Sequence, residues 1–300
     1  MSVSTISDER EIESFDITEK VQYKGDKLDK SDLKKLYEII IDLGKSLNVS
    51  REILNNTQIE ISGDAFGAKN KEIKIIIPEL EVLILLEKLN FQEYIKNSDT
   101  YDLQVYQALC ENNVSFLRTK INFRKNPLNY FENNRFTTPL EAKAALAHEF
   151  GHLVDENLPQ KERLFVMIFT LMSLTATVPA ILLTNKLKEK YDAKLLDINT
   201  ITSSIVLFPS IILCGLTFIK YIKTRLFRSS EIYADNFVKQ NDDLSCAFKD
   251  HFQRSANIKK TIYSFLSFEY RLGFKVSEFF DAHQTNQHRA LSFQQALKKA

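Results

Sequence analysis

The stretch TPLEAKAALAHEFGHLVDE, residues 138–156, decides the reading of the whole chain. Thr138 precedes Pro139 and stands three residues ahead of Glu141, a capping box with proline at the first helical position. The spacing predicts a helix running through HEFGH, residues 148–152. His148 and His152, four apart, then share one face of it.

That spacing suits a zinc ion. One helical turn brings both imidazoles to a single tetrahedral centre, while Glu149 projects beside it toward a bound water. Zinc lowers the pKa of such a water from about 15.7 to near 7, and a carboxylate within reach takes its proton, leaving hydroxide to attack a peptide carbonyl. A catalytic zinc needs a third protein ligand, and there are two candidates. Asp155 lies close to one turn past His152, but three ligands along one convex helix face diverge. Glu231, in RSSEIYADNF, comes from a different helix that can pack across. Asp235 follows it by four residues, shares its face, and can accept a hydrogen bond from a zinc-bound imidazole.

Between these motifs lie two uncharged segments, Leu164 to Asn185 and Ile198 to Ile219, joined by the lysine-rich link KLKEKYDAKLLD. Each just exceeds the roughly 20 residues needed to cross hydrocarbon, so they read as a transmembrane hairpin with the lipid bilayer as a partner. A hairpin returns the chain to its starting side, so Glu231 can still meet the histidines. The alternative is a pair of buried helices. Basic residues at the span ends place both flanking segments in the cytoplasm, which agrees with a polar, acidic N-terminus and three widely spaced cysteines.

Forty basic residues against 39 acidic give a net charge of +1, and no basic excess supports a nucleic-acid surface, even where aromatics and basic residues interleave before residue 137. Residues 1–30 read as a polar arm. From Ser31, a plausible N-cap, Leu33, Leu36, Tyr37, Ile40 and Leu43 recur at helical spacing as far as Gly44. Ile59 and Ile61 alternate with polar residues and β-branched residues resume at Ile73 to Ile77, which predicts a β-hairpin. Pro78 closes it, and a charged helix follows.

HEFGH, the two expected spans and Glu231-x-x-Ala234-Asp235 together resemble the membrane zinc metalloproteases of the HtpX and CAAX prenyl protease type, which are gluzincins. The resemblance implies that Glu231 is the third zinc ligand and that Asp235 supports a ligating histidine; Arg228 also matches. HQTNQHR, residues 283–289, is similar to the family's C-terminal pattern of a histidine followed six residues later by arginine. It implies that His283 stabilises the tetrahedral oxyanion and that Arg289 holds the site together. GDAFGAKNKEIKIII, residues 63–77, resembles the family's edge strand, so Asp64, Ala65 and Phe66 are expected to pair with an extended polypeptide substrate. Asp64 stands where the family has asparagine, and Gln284 where a proline follows the histidine.

The expected fold is mainly α, an α+β helical gluzincin-type metalloprotease domain with a small β-hairpin. Residues 31–160 and 226–300 form its two halves, interrupted by a two-helix transmembrane hairpin over 164–219. The expected function is a membrane-bound zinc endopeptidase. The alternatives are a non-catalytic zinc-containing membrane adaptor and a soluble regulatory protease.

Overall fold

The computed structural model describes residues 16–62, 66–96, 108, 113, 136–192, 198–265, 268, 271–272, 275, 281 and 283–298. It is mainly helical with a small mixed sheet, and it divides into two compact units.

The first unit comprises residues 1–155, 233–271 and 285–300. It opens with α1 (Ile17–Lys20) and β1 (Val21–Tyr23), inside the stretch expected to be a polar arm. Helix α2 (Lys30–Ser46) starts two residues earlier than an N-cap at Ser31 suggests, because Asp29 and Asp32 form a reciprocal capping box: Asp32 N donates to Asp29 Oδ1 at 2.9 Å and Asp29 N to Asp32 Oδ2 at 3.1 Å. Helix α3 (Arg51–Asn56) is followed by β2 (Gln58–Ile61), β3 (Gly67–Lys69) and β4 (Lys74–Ile77), and then by α4 (Glu79–Leu85) and α5 (Phe91–Lys96).

The strand order is β1-β2-β4-β3. The expected hairpin between Ile59–Ile61 and Ile73–Ile77 is corrected here: β2 and β4 are parallel neighbours, with Ile59 opposite Ile75 and Ile61 opposite Ile77. The antiparallel partner of β4 is β3, reached through a tight turn at Asn70–Glu72. All four of those isoleucines are buried, as parallel strands require, and this burial fixes the register. Strand β3 occupies one edge of the sheet.

Helix α6 (Pro139–Val154) runs through the centre of the unit and packs against α2, α4 and β3. Thr138 Oγ1 accepts from Glu141 N at 3.2 Å and Pro139 opens the helix. Ala142, Ala144 to Ala147, Phe150 and Leu153 are buried, so nearly every face of α6 lies against protein, as in a core helix. Against α6 also lies α9 (Asp242–Phe265), which packs in turn on α10 (Asn286–Leu297).

The second unit comprises residues 156–232 and 272–284. It contains α7 (Leu158–Asp192) and most of α8 (Ile198–Val238). The transmembrane hairpin expected over 164–219, and with it an integral membrane location, is overturned: among the described residues no helix is long and apolar enough to cross a membrane. The two helices run 35 and 41 residues. Their outer ends meet, with the Phe165 and Phe227 rings 6.1 Å apart and Lys161 Nζ donating to Ser230 Oγ at 2.8 Å.

The first turn of α6 is locked to α9 by a partly buried ion pair. Arg254 reaches both oxygens of Glu141, at 2.8 and 2.7 Å, and Thr137 N donates to Glu141 Oε2 at 2.7 Å. His251 lies 3.8 Å from the same carboxylate and stacks on Phe136 at 4.4 Å. Burial pushes the Glu141 pKa up, but hydrogen bonds from His251 and Arg254 outweigh it and hold it at about 2, against an ordinary 4.5. Burial pushes the His251 imidazole down.

The native state therefore binds fewer protons at both groups than the unfolded chain. Stability falls as pH drops below the ordinary histidine value, and falls further between 4.5 and about 2 as Glu141 titrates. The Glu141 contribution is on the order of 3 kcal/mol. Urea midpoints measured from pH 7 down to pH 2.5 are expected to fall more steeply in the wild type than in Glu141→Gln. Equal slopes would refute the assignment.

Candidate metal centre

A close helix crossing builds the site. A Cβ placed on Gly151 would lie 2.6 Å from the Ala234 Cα and 3.1 Å from the Ala234 and Phe237 Cβ atoms. Real Cβ atoms do not approach a backbone so closely, so only glycine lets α8 cross α6 here. The crossing sets Asp235, the residue after Ala234, beside His148: Oδ1 lies 3.0 Å from His148 Nδ1.

The Asp235 carboxylate is held in turn by Arg289 of α10, whose Nε donates to Oδ2 at 2.8 Å and whose Nη2 donates to Oδ1. The Arg289 guanidinium lies over the Phe252 ring, 4.0 Å from its centroid. Burial pushes the Asp235 pKa up, but the Arg289 charge and the His148 hydrogen bond prevail and hold it at about 2. Asp235 is thus a carboxylate that accepts the Nδ1 proton of His148, leaving the His148 Nε2 lone pair available.

That Nε2 faces its counterpart on His152 at 3.2 Å, with the two rings perpendicular. One turn before Asp235, the same α8 helix carries Glu231. Ligand atoms of His148, His152 and Glu231 all lie within 4.8 Å of one another, the group among the described residues that could hold a metal ion. Donors placed about 2.0–2.1 Å from one tetrahedral zinc stand roughly 3.3–3.4 Å apart. The two imidazole nitrogens, 3.2 Å apart, match that spacing, and a Glu231 carboxylate oxygen lies within 4.8 Å of them. Asp155, the other candidate ligand, is buried at the C-cap of α6 and is not in the group. Neither is Glu149, which is buried next to His148.

The remaining expected site residues fall as follows. His283 meets Glu231, with Nε2 2.8 Å from Oε2, and its Nδ1 lies 3.1 Å from Asp281 Oδ1. Burial raises the Asp281 pKa, but the hydrogen bonds of His283 to it prevail and lower it. Arg228 donates to the carbonyl of Asp281 at 3.5 Å, the residue whose carboxylate meets His283. Phe66 stands just before β3 and packs edge-on against Phe136 at 5.3 Å. Asp64 and Ala65 lie outside the described residues.

Gly151, Asp281 and Asn70 also build the site, and the motifs give none of them a role. A glycine inside an alanine-rich helix was the available signal for the first, since it costs about 1 kcal/mol relative to alanine. The chain matches no protein-family model, no curated protein and no solved structure.

Proposed function

We propose that this protein is a zinc-dependent endopeptidase of the kind its HEFGH and Glu231-x-x-Ala234-Asp235 motifs resemble. The observation that carries this reading is the grouping of His148, His152 and Glu231, with His148 backed by Asp235 and Arg289. Zinc bound there would act as a Lewis acid and bring a water molecule into the range where a carboxylate can deprotonate it.

Each residue then has a defined task. His148, His152 and Glu231 would hold the ion. Asp235 keeps the His148 proton on Nδ1, and Arg289 keeps Asp235 ionised and in place. Glu149, one residue along the helix from His148, takes the proton from water and returns it to the departing amine. His283, held at Nδ1 by Asp281, would turn its Nε2 from Glu231, 2.8 Å away, to the oxygen on which negative charge develops. Strand β3, an edge strand, offers main-chain groups to an extended polypeptide, with Phe66 at its start. A structural zinc site has four protein ligands and a catalytic one three with an open position; among the described residues three come together, the number the catalytic reading needs.

The test is metal analysis of the purified protein and of Glu231→Ala. One zinc per chain is expected in the wild type, and a large loss of occupancy in the variant. Full occupancy in Glu231→Ala would remove Glu231 from the ligand set, and absence of zinc-binding in the wild type would end the proposal.

A further inference from the structure

The last carbonyls of a helix have no partner within it, and α6 ends two residues after its second histidine. The side chain that meets them comes from the sheet. Asn70 Nδ2 donates to the His152 carbonyl at 3.1 Å and to the Leu153 carbonyl at 3.2 Å. An asparagine amide carries two N–H donors, and both are used here.

Asn70 opens the tight turn between β3 and β4. Three residues on, Ile73 sits in the left-handed region at φ 46°, ψ 52°, a conformation that L residues seldom adopt and β-branched ones least of all. The strained residue is pinned from both sides: Ile73 N donates to the Asn70 carbonyl at 3.2 Å and Gln58 N to the Ile73 carbonyl at 2.9 Å. Such strain persists only where the surroundings over-determine it, and it gathers at functional sites. One turn thus joins the edge strand to the end of the helix that carries both histidines.

The geometry points to Asn70 as a positioning residue that fixes the edge strand β3 against the turn of α6 bearing His152. It rests on the endopeptidase reading, in which a peptide paired with β3 must present its carbonyl within reach of the His148, His152 and Glu231 group. A displacement of about 1 Å between substrate and catalytic groups can cost a hundredfold in rate.

The experiment uses the full chain carrying Asn70→Asp or Asn70→Ala. Asn70→Asp keeps the shape, removes both donors and sets a carboxylate against two carbonyl oxygens. Val21→Ala, in β1 at the opposite edge of the sheet, is the control for lost stability. Two readouts are taken: kcat and KM on an extended peptide with zinc bound, and the visible spectrum after cobalt(II) substitution.

Both Asn70 variants are expected to lose about tenfold or more in kcat/KM and to shift the cobalt bands, while Val21→Ala keeps both properties per folded molecule. Asn70 variants that match Val21→Ala in both readouts overturn the assignment. If the wild type binds cobalt but cleaves no peptide, the endopeptidase reading fails by itself, and the cobalt bands still decide whether Asn70 holds His152. A wild type that binds no cobalt sinks both.

Discussion

Replacing Glu149 with glutamine is expected to reduce peptide hydrolysis by about 10²–10⁴-fold while leaving zinc bound. Glutamine matches glutamate in shape but cannot take a proton from water at neutral pH. Glu149 is not among the three residues grouped as possible metal ligands, so the substitution leaves the proposed donors intact. It is also buried, and a neutral side chain of the same volume is easier to bury than an ionised one, so the fold is not expected to suffer. Zinc content, urea midpoint and hydrolysis rate measured on one preparation separate the possibilities. Undiminished hydrolysis would exclude Glu149 as the base. Hydrolysis lost together with zinc would move Glu149 from proton transfer to metal retention.

Much of this site was legible because its signals are local. The Thr138 cap, Pro139 and the four-residue histidine spacing concern one helix, and the structure forms that helix over Pro139–Val154. Glu231 and Asp235 were legible for the same reason, as one turn of a single helix, α8. The partnership of Asp235 with His148 and Arg289 is not local, and in the sequence only the motif resemblance points to it.

Other features depend on contacts that letters do not reveal. Ile59–Ile61 and Ile73–Ile77 look like the arms of a hairpin because a turn-like stretch separates them. That stretch contains β3, which takes the antiparallel place beside β4 and leaves β2 to pair in parallel. The uncharged segments after residue 163 look like spans by length and lack of charge, yet among the described residues no helix is long and apolar enough to cross a membrane. Asn70 lies in a polar turn like many others, and its role depends on the carbonyls of His152 and Leu153, which are 82 and 83 residues away in the chain.

Enlarging Gly151 should undo the site without touching a ligand. The carbon that any other residue adds there falls 2.6 Å from the backbone of Ala234, where no flexible side-chain tip can yield, so α6 and α8 must move apart. Gly151→Leu is expected to cost about 3 kcal/mol or more through overpacking and to lower zinc affinity at least about a hundredfold. Asp235 then withdraws from His148, and Glu231 shifts with the same helix.

Gly151→Ala separates geometry from stability. Alanine is favoured over glycine inside a helix by about 1 kcal/mol, which offsets part of the steric cost, so this variant is expected to remain folded while binding zinc more weakly. Urea unfolding and competitive zinc titration of the two variants measure these quantities. Wild-type zinc affinity in folded Gly151→Leu would show that the approach of α8 to α6 does not set the ligand geometry. Weak zinc binding by a stable Gly151→Ala protein would show that it does, because the only atom added lies at the crossing and none of the three donors has changed.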